Sequence, residues 1–167
     1  TQGVSSAASD VYKRQTENFA LAVPKGHPLA RRGRIRLTDL ADEAFIMYTA
    51  TEAAGLRMAA INACQLRGFT PRITQEAVQV QTLLSLVESG LGVALVPAGS
   101  RRHPGPNVVY KTLADFPADA SIGISLAWNP DTERSAARNL REMASQAFRD
   151  KPAKYPVPRL RQGGRQA

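Results

Sequence analysis

Residues 76–99, EAVQVQTLLSLVESGLGVALVPAG, constrain the fold more than any other stretch of this chain. Val80, Leu83, Leu84, Leu86 and Val87 fall on one continuous stripe of a helix. Gly90 stands where a helix ends in a left-handed residue, and Gly92 loosens the next turn. Val93, Ala94, Leu95 and Val96 then form a short apolar run that Pro97 stops. With no polar alternation, that run predicts a strand covered on both faces. A buried strand on each side of such a helix makes a βαβ unit, whose crossover is expected to be right-handed. Ligands of open α/β sheets collect beyond the carboxyl ends of the strands, which predicts a small-molecule site near Gln79 and Pro97.

The rest of the chain reads as further short α/β elements. Residues 19–23 are a strand ended by Pro24, and KGHPLARRGRIRL is a turn-rich surface loop. His27 precedes Pro28, which biases it to an extended conformation. Thr38 is expected to cap a short helix, with Asp39 and Asp42 favourable near its start. Residues 45–48 are a second buried strand. A helix over residues 53–67 places Leu56, Ala60, Ala63 and Cys64 on one face, and Gly68 ends it. Strands follow at residues 72–76, 108–113 and 122–128, the last with a clear period of two. An amphipathic helix over 133–148 is expected to turn Ala137, Leu140, Ala144 and Phe148 inward.

Length permits one domain with a real core, and no apolar run approaches transmembrane length. The single cysteine, Cys64, allows no internal disulfide and sits on a helix face as a buried, inert thiol. The net charge of +8 invites a nucleic-acid reading, so its location matters. Lys151, Lys154, Arg159, Arg161 and Arg165 follow the last acid, whereas residues 16–150 hold 15 basic and 13 acidic side chains. The body is nearly neutral and carries no charge footprint for DNA. Residues 1–15 show no helical or strand period and no signal-peptide pattern, and are expected to be a non-native leader. Residues 151–167 are basic and rich in Pro and Gly, and are expected to be a disordered tail.

The chemistry of bond making is missing from the pattern. There is no Cys/His cluster with metal spacing, no glycine-rich phosphate loop and no nucleophile elbow. Glu52, Glu76 and Glu88 read as isolated carboxylates, solvated or capping. Thr49 and Thr51 are more informative. They precede a helix N-terminus, whose unpaired N–H groups and positive dipole end favour an anion, and a hydroxyl there adds a donor. From spacing alone they cap the helix or contact a ligand. No catalytic residue, metal ligand or cofactor is expected.

Three segments together resemble the effector-binding domain of LysR-type transcriptional regulators: TLLSLVESGLGVALVPAG, FALAVPKGHPLARRGRIRLTDLADEAFIMY and CQLRGFTPRITQEAV. Their order and spacing match over residues 16–148. The resemblance implies a periplasmic-binding-protein-like (type II) α/β fold of two lobes, with the effector in the cleft between them. Residues 16–116 correspond to a complete second lobe, and 117–150 to the returning strand and helix of a partial first lobe. It turns the threonines toward ligand contact and puts effector-binding positions at Thr49, Thr51, Ala54, Gly55, Leu56, Gln79, Val80, Pro97 and Ile122. Ala54 and Gly55 stand where many relatives place a proline or a hydroxyl, which makes this wall more apolar and roomier. The implied function is sensing of a small organic, anionic effector in a cytoplasmic regulator. DNA would be reached only through an N-terminal helix-turn-helix missing here. The intact protein would be a homo-oligomer, dimer or tetramer, with no membrane partner. The alternative is part of a periplasmic solute-binding protein for transport, which shares the fold.

Overall fold

In the computed structural model, residues 10–102, 105–117, 120–129 and 132–147 are described. The first half of the chain forms β1 (Asp10–Glu17), β2 (Phe19–Pro24), α1 (Pro28–Arg31), β3 (Ala44–Tyr48) and α2 (Ala54–Gln65). The second half adds β4 (Arg72–Ala77), α3 (Val80–Glu88), β5 (Ala94–Pro97), β6 (Val108–Lys111), β7 (Ile122–Trp128) and α4 (Ser135–Ala147). These elements fall into two compact units. Glu17–Ile122 is one, and Thr1–Thr16 with Gly123–Ala167 is the other.

In the Glu17–Ile122 unit, β2 lies between β5 and β6 and is antiparallel to both, with Leu21 opposite Leu95 and Lys111. β3 pairs in parallel with β4. The two groups of strands meet where Ile46 N–H donates to Val93 O at 2.9 Å and Val93 N–H donates to Ala44 O at 2.8 Å, a parallel bridge. Through that bridge the order is β4-β3-β5-β2-β6, with β3, β4 and β5 running the same way. The expected βαβ unit is present as β4, α3 and β5, and β3 is inserted between its two strands. Leu21, Val23, Phe45, Ile46, Leu83, Val87 and Leu95 are fully buried together. Each such side chain contributes about 1.5–3 kcal/mol on burial.

Two glycines answer different demands of the backbone. Gly90 has φ 78° at the end of α3, the left-handed residue that the sequence predicts. A Cβ at Gly92 would collide with Ala44 O, the carbonyl that the neighbouring Val93 amide uses. Only glycine lets the chain pass β3 closely enough to form the bridge.

Several local expectations change. The loop after β2 contains one helical turn, α1, because His27 Nδ1 accepts from Leu29 N–H at 3.3 Å and caps it. Thr38 is not a cap. Arg36 holds that position of the 3-10 turn Leu37–Leu40, and its N–H donates to Asp39 Oδ2 at 2.8 Å. A carboxylate reaching back makes the stronger, charge-assisted bond.

In the other unit β1 pairs with β7, and the strand Asp10–Glu17 crosses the boundary expected at residue 15. Its sequence shows no strand period, and the pairing is made by backbone groups that need none. Ala137 and Leu140 on α4 do not face inward; Leu140 is 66% exposed and Met143 68%. Charged contacts link the helix to its neighbours. Glu133 accepts from Arg141 Nε at 2.7 Å, and the Arg141 guanidinium lies 4.8 Å from the ring centre of Trp128 on β7. Phe148 and residues 151–167 lie outside the described residues.

Candidate functional site

Because β3, β4 and β5 run the same way, their carboxyl ends share one edge of the Glu17–Ile122 sheet. Tyr48 ends β3, Ala77 ends β4 and Pro97 ends β5. Thr49 N–H donates to Ala77 O at 3.2 Å and holds the first two ends together. Phe19, at the start of β2, stands opposite Pro97. Helices α2 and α3 both begin at this edge. Neither has a side-chain cap: Ala53 and Gln79 occupy the cap positions without a side-chain bond to the helix. Two helix N-termini with unspent backbone N–H groups favour a carboxylate or another anion.

The threonines do not cap α2 either. Thr49 Oγ1 donates to Glu52 Oε2 at 2.9 Å, and Thr51 Oγ1 donates to the same oxygen. These hydroxyls, Thr51 first, and the backbone N–H of Glu52 hold its carboxyl below the usual carboxylate range. Glu52 is therefore not isolated. Nor is Glu76, whose Oε1 accepts from Arg57 Nη1 at 2.7 Å. The same nitrogen donates to Tyr48 O at 2.6 Å. Arg57 thus ties the first turns of α2 to the ends of β3 and β4.

The remaining expected positions divide by burial. Ala54 and Gly55 are exposed in the first turn of α2, and a Cβ at Gly55 would meet open space. Leu56 and Val80 are half-buried, packed against the core, as is Ile122 at the start of β7. Gln79 is exposed and Pro97 half-buried. Beyond Pro97, Gly99 N–H donates to Glu17 Oε1, and a Cβ at Gly99 would require that carboxylate to shift. Thr49, Thr51 and the start of α2 are brought together; the strand order puts Gln79 and Pro97 on the same edge.

Sequence reasoning missed Glu52, Arg57 and Glu76. A signal existed for the first, since Thr49-Ala50-Thr51-Glu52 has the T-x-x-E spacing of a capping box. Cys64 is buried as expected, and burial pushes its thiol up to about 12. Among the described residues no three His, Cys, Asp or Glu side chains are grouped to hold a metal, and no helix is long and apolar enough to cross a membrane.

The family model described as the LysR substrate binding domain matches residues 11–149. Among curated proteins, the chain is 33% identical over 106 residues to the HTH-type transcriptional regulator AlsR of Bacillus subtilis, covering 64% of this chain and 35% of that protein. It is 32% identical over 142 residues to the HTH-type transcriptional regulator IlvR of Caulobacter vibrioides, covering 85% and 47%. The chain thus spans less than half the length of these relatives. Among solved structures it resembles the BenM effector binding domain with its effector benzoate. The TM-score is 0.71 at 27% identity, covering 90% of this chain and 70% of that one.

Proposed function

The chain belongs to the LysR substrate-binding domain family, and from that premise we propose that it senses a small organic anion at the carboxyl edge of β3, β4 and β5. One observation carries the reading: α2 and α3 begin side by side in the strand order at that edge, and neither N-terminus is closed by a capping side chain. The effector positions are Thr49, Thr51, Ala54, Gly55, Leu56, Gln79, Val80, Pro97 and Ile122. Their chemistry is that of binding. Hydroxyls and backbone N–H groups orient a charged head, while Leu56, Val80 and Pro97 give apolar surface to its body.

The relatives are transcription regulators, and the BenM domain holds benzoate as its effector. By analogy the intact protein is a cytoplasmic bacterial regulator that reads DNA through a helix-turn-helix and assembles as a homo-oligomer. These similarities favour regulation over the transport alternative. No step of bond making is assigned to any residue, and the role is ligand sensing rather than catalysis.

A titration of the purified chain with benzoate and a panel of small organic acids tests this, read by melting temperature. At least one acid should raise the melting temperature saturably, and Gln79→Glu should weaken it by placing a like charge at the start of α3. Saturable stabilisation by none of the acids, or equal stabilisation of Gln79→Glu, would overturn it.

A further inference from the structure

The carboxylate nearest the effector-facing hydroxyls belongs to the chain itself. Glu52 Oε2 accepts from both Thr49 Oγ1 and Thr51 Oγ1. Among the described residues no Lys or Arg pairs with it, although Arg57, one turn into α2, pairs with Glu76. Glu52 is exposed, so water competes for its carboxylate. It also stands just before an uncapped helix N-terminus, where negative charge is favoured. Glu17 on the same edge differs. Its carboxylate is half-buried and accepts from a backbone N–H, that of Gly99, rather than from a hydroxyl.

We propose that Glu52 is an internal competitor at the effector site: its carboxylate occupies the Thr49 and Thr51 hydroxyls, and an anionic ligand reaches them only by displacing it. This rests on the effector reading of the edge and adds to it a specificity-determining residue. Exchange of one carboxylate for another leaves the number of hydrogen bonds unchanged. The gain from those two donors is therefore small for a bare acid. Selectivity falls to whatever else the ligand presents to α3 and to the apolar wall of Leu56, Val80 and Pro97.

Glu52→Ala deletes the equivalent of one acetate, which makes sodium acetate the direct probe. The amides of residues 49–55 are followed by two-dimensional NMR at pH 7, with sodium chloride at equal ionic strength as the reference. Half-saturation by acetate should fall at least tenfold from the unmodified chain to Glu52→Ala. Adding Thr51→Val should abolish the gain. Equal half-saturation in the two chains, or a gain that survives Thr51→Val, would overturn the proposal. Amides of residues 19–23 report whether the variant is folded. Should Glu52→Ala not fold, Glu52→Gln carries the same test, with tighter acetate binding expected and unchanged binding overturning it. Acetate is not the effector, so the two failures are told apart. An acid panel without hits sinks the effector site, and with it the competitor role, and leaves only a carboxylate exchange at the two hydroxyls. Hits without acetate exchange sink only the role of Glu52.

Discussion

Arg57 and Glu76 join α2 to β4 through one hydrogen bond of 2.7 Å, and the nitrogen that makes it also donates to Tyr48 O. The two partners of that nitrogen are unequal. Glu76 is 44% exposed, so its share is that of a surface ion pair, about 0–1 kcal/mol. The Tyr48 carbonyl sits at the end of a buried strand and depends more on its charged donor. Arg57→Met should therefore cost about 1.5–3 kcal/mol in denaturant unfolding. Glu76→Gln should cost less than about 1 kcal/mol. Equal costs would mean that the ion pair, not the carbonyl, holds the edge together.

Tyr48 gives a prediction of opposite sign. Its side chain is fully buried, its hydroxyl has no partner among the described residues, and burial raises the phenol above its usual range. A buried hydroxyl without a partner costs about 1–3 kcal/mol. Tyr48→Phe should raise stability by about 1 kcal/mol, measured by thermal or denaturant unfolding. A loss of similar size would reveal a partner for the hydroxyl.

Two glycines in different surroundings should respond in opposite directions. Gly92→Ala drives a methyl into Ala44 O and breaks the bridge between β3 and β5, at about 1–3 kcal/mol. Gly55→Ala adds a methyl into open space in the first turn of α2 and should gain about 0.5–1 kcal/mol. Paired melting curves decide the matter. Destabilisation by Gly55→Ala would mean that the start of α2 needs glycine's freedom.

These contrasts show why the fold was more legible than the site. The stripe from Val80 to Val87 and the run from Val93 to Val96 are backbone periodicities, and burial follows from them directly. Gly90 was readable because a helix end demands a left-handed residue. The pairing of β1 was not, since backbone groups make it without an apolar pattern. The outward face of α4 was not legible. Apolar spacing shows that a face can be covered and not whether a covering surface is there, and the contact seen on Trp128 is made by Arg141. At the site, position followed from strand order, but the partners of Thr49, Thr51 and Arg57 depend on side-chain rotamers. A T-x-x-E spacing is compatible with a capping box and with the arrangement found, and only coordinates separate them.

The Glu52 contact also fixes a pH dependence whose sign is definite. The hydroxyls of Thr51 and then Thr49, with the Glu52 backbone N–H, favour the charged carboxylate and lower its folded-state pKa from the ordinary 4.5. A group depressed on folding contributes its stability in full above the unfolded value and loses it as pH falls through the folded value. The contact is therefore constant from neutral pH down to about 5 and weakens only in acid below the ordinary carboxylate range. Glu133 shares the direction for a different reason, chiefly its bond from Arg141. Carboxyl-carbon NMR should find both glutamates titrating below an ordinary glutamate. Thr51→Val should move Glu52 upward and leave Glu133 in place, while Arg141→Gln should do the reverse. An ordinary or raised midpoint for Glu52 would mean that the hydroxyls do not hold its carboxylate in solution.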